Sequence, residues 1–207
     1  MSTRVYLYKR FERFWHWMQA LLVLLLLWTG FEIHGTLNFI GYEKAVDLHI
    51  YFAWSLVILI IFAAFWHFTT GEWRQYRPTS SRLKEMFRYY LVGIFRNEVH
   101  PTKRTEISKL NPLQRLTYLG LKILMFPVQL ISGFLYYYYN ELHAAGFEYS
   151  LGTVAAVHTA ASFALLAFVV AHVYLTTTGH TIFGNVKAMI TGYETIDEDS
   201  VTAGPAA

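Results

Sequence analysis

Four apolar segments, each long enough to cross a bilayer, leave this chain little choice of architecture. They run from Phe14 to Ile33, from Leu48 to Phe68, from Leu116 to Tyr139 and from Gly152 to Thr178. A helix needs about 20 such residues to span the hydrocarbon. There, only a helix or a closed barrel satisfies its own backbone. The chain is 55% hydrophobic and 15% charged, where an ordinary soluble domain carries about 25% charged residues. The sequence therefore predicts an all-α membrane protein, a four-transmembrane-helix bundle. Trp15, Trp17, Trp66, Trp73 and the tyrosines from Tyr136 to Tyr139 gather at span ends, as an interfacial aromatic belt does. The N-terminal run follows basic residues, but it is long, contains His16 and lacks a small-residue cleavage site. It reads as a retained helix and not as a secretory signal.

Lysine and arginine set the orientation. Arg4, Lys9, Arg10 and Arg13 precede the first span, and ten more lie between Arg74 and Arg115. The connection between spans one and two holds only Lys44, and that between three and four holds none. The positive-inside rule then places both termini and the middle connection in the cytoplasm. Within that connection, Leu83, Met86, Phe87, Tyr90, Leu91 and Ile94 recur at helical spacing. They predict an amphipathic helix from Ser81 to Phe95 lying on the inner membrane surface, with a partner-docking face as the alternative. Pro127, in the middle of span three, predicts a kink, and Lys122, one turn inside it, can snorkel to the inner surface. Residues 1–193 read as one membrane domain and 194–207 as an acidic, mobile tail.

Histidines carry the chemistry. His158 and His172 lie fourteen residues apart in the fourth span, which puts them on one side of a helix at levels about 21 Å apart. A histidine in hydrocarbon needs a use for its ring nitrogens. Hydrogen-bonded core histidines are the plain reading; two on one face, with partners on other helices, suggest two stacked haems. No cysteine is present, which excludes covalent haem attachment, all-cysteine iron–sulfur clusters and disulfides. His16 and His34 on span one, and His49 and His67 on span two, are each eighteen residues apart. That is about 27 Å, so each of these helices supplies a ligand at one level only. A flat macrocycle needs a small residue where a helix crosses it. Gly30 stands fourteen residues after His16, and Ala63 stands fourteen after His49. This favours His16 with His172 for an inner haem and His49 with His158 for an outer haem. His34 and His67 then become end-of-helix histidines near water. No carboxylate lies deep in any span, which argues against ion transport.

Several stretches resemble one known family. They are RFERFWHW around His16, DLHIYFAW around His49, FWHFTTGEWRQY after span two, KLNPLQRLTYLGLK entering span three, the His158/His172 pair, and HTIFGNVKAMITG after span four. The chain resembles the prokaryotic di-haem cytochrome b subunits that anchor formate dehydrogenases, nickel–iron hydrogenases and thiosulfate-reductase-like enzymes. The resemblance implies two haem b groups with His16, His49, His158 and His172 as axial ligands. It implies a quinone site at Asn111 and Gln114, in the NPLQ stretch at the cytoplasmic mouth of span three. Pro112–Leu113 departs from relatives that carry a glycine there. Asn111 also reads as a helix N-cap before a proline at the first helical position, and the two readings are compatible. Arg13, with Arg10, stands where it could pair with an inner haem propionate, and Lys44 with an outer one.

The expected function is electron transfer, as a membrane-anchoring subunit of a multisubunit respiratory oxidoreductase in the prokaryotic inner membrane. Its partners are lipid, quinone and an iron–sulfur or multihaem subunit docked on the outer face near His143, with no nucleic acid. The catalytic site for the other substrate belongs to that partner. Two other classes compete. One is a non-redox scaffold or transporter whose histidines bind metal or only pack. The other is a self-contained enzyme with substrate at the inner histidines, including His180.

Overall fold

The computed structural model describes residues 2–96, 98, 101–102, 109–178 and 181–197. His180, the basic residues Lys103 and Arg104, and the tail beyond Asp197 lie outside the described residues. In chain order the elements are β1 (Ser2–Tyr6), α1 (Arg10–Ile33), α2 (Tyr42–Thr70), α3 (Leu83–Leu91), α4 (Pro112–Gly120), α5 (Phe126–Tyr137), α6 (Tyr139–Ala144), α7 (Leu151–Thr176), α8 (Gly184–Thr191) and β2 (Tyr193–Asp197). Four helices are long and apolar enough to cross a membrane: α1, α2, the continuous helix from Pro112 to Tyr137, and α7. The protein is a mostly helical, multi-pass membrane protein. It divides into two compact units, each holding two of these helices.

The first unit comprises Met1–Trp73, Thr105–Lys109 and Thr176–Ala207. Here α1 and α2 pack as an antiparallel hairpin. The buried Glu32 makes its turn: Oε1 accepts the backbone N–H groups of Phe39, Ile40 and Gly41 at 2.6, 2.8 and 3.1 Å. Gly41, at φ 84°, begins α2, in a conformation that strongly favours glycine. At the other end, the Glu12 carboxylate accepts from the Lys9 N–H at 2.6 Å. The buried Lys109 ammonium reaches both Glu12 oxygens, at 2.8 and 3.0 Å, and Glu72 at 3.1 Å.

Strand β1 pairs antiparallel with β2, Ser2 opposite Asp197 and Tyr6 opposite Tyr193. Two side chains of α1 cap the end of α8: Arg13 Nη1 donates to the Ile190 carbonyl, and Trp17 Nε1 to that of Met189 at 3.1 Å. Glu194–Asp197 fall in the second strand, β2, where β1 supplies their hydrogen-bonding partners.

The second unit comprises Arg74–Arg104 and Leu110–Leu175. The helix expected from Ser81 to Phe95 is shorter. It runs over Leu83–Leu91, Val92 leaves the helical region at φ −135°, and a 3-10 turn follows over Gly93–Arg96. Its apolar stripe buries Met86, and α3 packs on α4.

Pro127 lacks an N–H and cannot serve the carbonyl four residues back. The third span absorbs this with a π-helical turn over Leu121–Met125, in which the Phe126 N–H reaches the Leu121 carbonyl. The distortion is therefore a wide turn on the N-terminal side of the proline, one of the recognised causes of a bent helix. Lys122, inside that turn, lies with Nζ 3.3 Å from the centroid of the Tyr76 ring, a cation–π contact. The span ends at Tyr137 rather than Tyr139, since Tyr138 has φ −96° and ψ 23°. The start of α7 is tied back by Tyr149, whose hydroxyl donates to the Leu135 carbonyl at 2.8 Å.

Candidate functional site

The four singled-out histidines divide evenly: His16 and His49 lie in the first unit, His158 and His172 in the second. All four are half-buried.

His49 projects from α2 onto α1. Its Nδ1 is 2.8 Å from the hydroxyl of Thr29, a residue with no exposed surface. The same hydroxyl is 2.8 Å from the Leu25 carbonyl. The next residue is Gly30, where a Cβ would stand 3.9 Å from His49 Cε1. His158 projects from α7 onto α5 in a matching arrangement. Its Nδ1 is 3.0 Å from the hydroxyl of the buried Ser132, which is 2.6 Å from the Val128 carbonyl. The next residue is again a glycine, Gly133, where a Cβ would meet Cε1 at 3.2 Å and Nδ1 at 3.5 Å. The Gln129 amide nitrogen approaches His158 Nε2 at 3.0 Å and the Ser162 hydroxyl at 2.7 Å.

His16 and His172 have aromatic surroundings. His16 meets Trp15 and Trp17 edge-on, at centroid distances of 6.4 and 5.2 Å. His172 stacks on Phe168 at 5.8 Å, with Tyr118 edge-on at 6.3 Å.

The remaining histidines differ from one another. His34, at the C-cap of α1, is exposed, and so is His143, stacked on Tyr139 at 5.8 Å. His67 corrects the expectation of a water-facing position. It is 7% exposed, its Nδ1 is 2.6 Å from the Ala63 carbonyl, and its ring lies edge-on to Trp15 and Trp66. Its own helix and two tryptophans shield it from solvent.

Asn111 and Gln114 form a reciprocal cap on α4. Asn111 Oδ1 accepts the Gln114 N–H at 2.8 Å, and Gln114 Oε1 accepts the Asn111 N–H at 3.1 Å. Asn111 Nδ2 donates to the Tyr90 hydroxyl at 3.1 Å. Pro112 takes the first helical position, where its missing N–H costs nothing. Arg13, singled out for a propionate, has a use in the fold through Ile190.

Thr29, Ser132, Gly133 and Gln129 escaped the sequence reading. The signal available was a Thr-Gly and a Ser-Gly dipeptide, and a lone amide, inside otherwise apolar spans. Among the described residues, no three His, Asp or Glu side chains converge to hold a bare metal ion.

Two of the four imidazoles, His49 and His158, are each held by a hydroxyl and each face a glycine. A family model described as prokaryotic cytochrome b561 matches residues 7–192. The chain belongs to this family. A relative from Escherichia coli (strain K12), named "Putative cytochrome YdhU", is 32% identical over 199 residues, covering 93% of this chain and 75% of its own. No solved structure matches the chain at the same stringency.

Membership makes the protein a membrane cytochrome, which implies haem b and electron transfer. It decides against the scaffold or transporter alternative. The residues of this cytochrome fit the group. Half-buried imidazoles are available as ligands, and Gly30 and Gly133 leave room beside two of them. With no cysteine in the chain, the haem is held without thioether bonds.

Proposed function

We propose that this cytochrome is a di-haem conduit, carrying electrons across the prokaryotic inner membrane between quinone and a partner oxidoreductase subunit. His16 and His172 ligate the inner haem, and His49 and His158 the outer one. Both termini face the cytoplasm, as the lysine and arginine asymmetry favours. The observation that carries the reading is the repeated device at His49 and His158: a hydroxyl on Nδ1 and a glycine against the ring. Packing alone does not call for a hydroxyl and a glycine together at two separate histidines.

Haem iron held by two imidazoles supplies one-electron redox chemistry with no open coordination position. The chain's residues do the rest. Four imidazoles hold the irons, and the apolar spans exclude water from them. Glycines 30 and 133 let the helices approach. The Gln114 oxygen is committed to the cap, so its amide nitrogen is the donor we assign to a quinone carbonyl, with Asn111 shaping the site. Arg13 and Arg10 would neutralise propionates at the inner level. The partner, an iron–sulfur or multihaem subunit, would dock outside near the exposed His143.

The test is a dithionite-reduced minus oxidised spectrum of the detergent-purified protein, with haem quantified per chain. Two low-spin b-type haems are expected. His16→Ala and His172→Ala should remove one of them, and His49→Ala and His158→Ala the other. A folded, colourless protein from haem-replete cells would overturn the reading. A single haem in the unaltered chain would overturn the four-ligand assignment.

A further inference from the structure

Two hydroxyls in the spans have a role that the haem reading does not contain. A serine or threonine in a helix ordinarily bonds back to the carbonyl four residues earlier, and both do so here. Thr29 Oγ1 lies 2.8 Å from the Leu25 carbonyl, and Ser132 Oγ 2.6 Å from that of Val128. A carbonyl oxygen can only accept, so contacts this short require the hydroxyl proton between the two oxygens. With its proton spent, each hydroxyl can only accept from a histidine. His49 Nδ1, at 2.8 Å from Thr29, and His158 Nδ1, at 3.0 Å from Ser132, must therefore carry the proton. The lone pair of each ring then sits on Nε2.

At His158 a second polar group lies beside the ring. The Ser162 hydroxyl donates to the His158 carbonyl at 2.8 Å, so its oxygen must accept, which fixes the near atom of Gln129 as the amide nitrogen. That nitrogen lies 3.0 Å from His158 Nε2 and 3.4 Å from Nδ1, against the face of the ring and away from the Nε2 lone pair. Ser132, His158 and Ser162 then have consistent donor and acceptor roles, while Gln129 Oε1 is buried without a hydrogen-bond partner. When iron takes the Nε2 lone pair, Gln129 keeps Ser162 as acceptor.

We infer that Thr29 and Ser132 are positioning residues for the outer haem, holding His49 and His158 as Nδ1–H tautomers with Nε2 toward the iron. The inference rests on the di-haem reading and deepens it. An acceptor on Nδ1–H makes an imidazole a stronger donor, which stabilises ferric iron and lowers the haem potential. Two such acceptors act on one haem in this assignment, and tune it apart from the other.

The experiment is a potentiometric titration of the full-length protein in detergent, with low-temperature EPR of the oxidised state, for Thr29→Val, Ser132→Ala, Thr29→Ser and Ser132→Thr. Removing either hydroxyl should move one of the two midpoints to a more positive value and shift one low-spin EPR signal. The second midpoint should stay in place, and the conservative variants should restore the first. Loss of one haem in Thr29→Val with retention in Thr29→Ser supports the same assignment. Unchanged midpoints and signals in both Thr29→Val and Ser132→Ala overturn it, as does a conservative variant that behaves like the deletion. A wild-type protein without two low-spin haems fails earlier and differently: it overturns the proposed function and this inference with it.

Discussion

Gly133 stands so close to His158 that a Cβ placed on it would lie 3.2 Å from Cε1 and 3.5 Å from Nδ1. The partner helix has been brought to the imidazole by deleting a side chain, so the ring orientation depends on that absence. Gly133→Ala forces His158 to move, and overpacking of this kind costs about 1–3 kcal/mol. On the di-haem proposal, the expected outcome is a fall from two haems per chain toward one, measured by pyridine haemochrome. Gly30→Ala serves as the comparison. Its added methyl would meet His49 Cε1 at 3.9 Å, an ordinary contact, so His49 itself is undisturbed. A haem loss equal to that of Gly133→Ala would then report the macrocycle and not the histidine.

Lys109 is the buried link of an ion network. It is 6% exposed and bonds both oxygens of Glu12 and one of Glu72, while Lys9 bonds the other Glu72 oxygen at 2.7 Å. Lys109→Met leaves two shielded carboxylates facing each other without their shared cation. Removing one partner of a buried pair costs about 3–5 kcal/mol. Lys9→Met removes a half-exposed partner from the same network, and such pairs are worth about 1 kcal/mol or less. Thermal unfolding in detergent should therefore show a large drop for Lys109→Met and a small one for Lys9→Met. Equal effects would mean that the network acts as a surface pair.

The same network sets a pH dependence with two limbs. The hydrogen bond from Lys9 to Glu72 raises the Lys9 ammonium above its ordinary 10.5. Burial pushes the Glu72 carboxyl up, but hydrogen bonds and charge from Lys9 and Lys109 outweigh it and hold the group below 4.5. A carboxyl lowered on folding contributes stability above its unfolded value and loses it as pH falls through the folded one. An amine raised on folding contributes below its unfolded value and loses that as pH rises through the folded one. Stability from this pair should be level between about pH 5 and pH 10 and fall on either side. Glu72→Gln should flatten the acid limb, read by circular dichroism melts across pH.

The four spans were legible because their signal is additive over some twenty residues, and no local exception erases it. Pro127 was legible as a disturbance, but not as the π-turn over Leu121–Met125, because a missing N–H can be absorbed in several ways and neighbouring packing selects one. The sheet was invisible, since Ser2–Tyr6 and Tyr193–Asp197 pair across almost the whole chain, and neither strand carries a turn that announces the other. His67 was misread as water-facing because its position in the sequence does not reveal that Trp15, from another helix, covers it. Thr29 and Ser132 stayed hidden for a subtler reason. A hydroxyl in an apolar helix is ordinarily satisfied by its own carbonyl at i−4, so its presence says nothing of a second partner until a histidine is seen beside it.

Glu32 makes the turn of the α1–α2 hairpin, 4% exposed, with one oxygen accepting three consecutive backbone N–H groups. This turn fixes where α2 begins, and through it the height of His49 beside Thr29. Glu32→Gln keeps an acceptor oxygen and loses only the charge; hydrogen bonds to a charged group exceed neutral ones by about 1 kcal/mol. Glu32→Ala removes the acceptor for all three amides, and a buried unsatisfied group costs about 1–3 kcal/mol. The alanine variant should therefore melt well below the glutamine variant. If the turn positions His49, it should also release one haem of the two on mild heating, followed by the loss of one component of the reduced-minus-oxidised band. Alanine and glutamine variants that melt together, with both haems retained, would mean that helix packing alone holds His49 at its level.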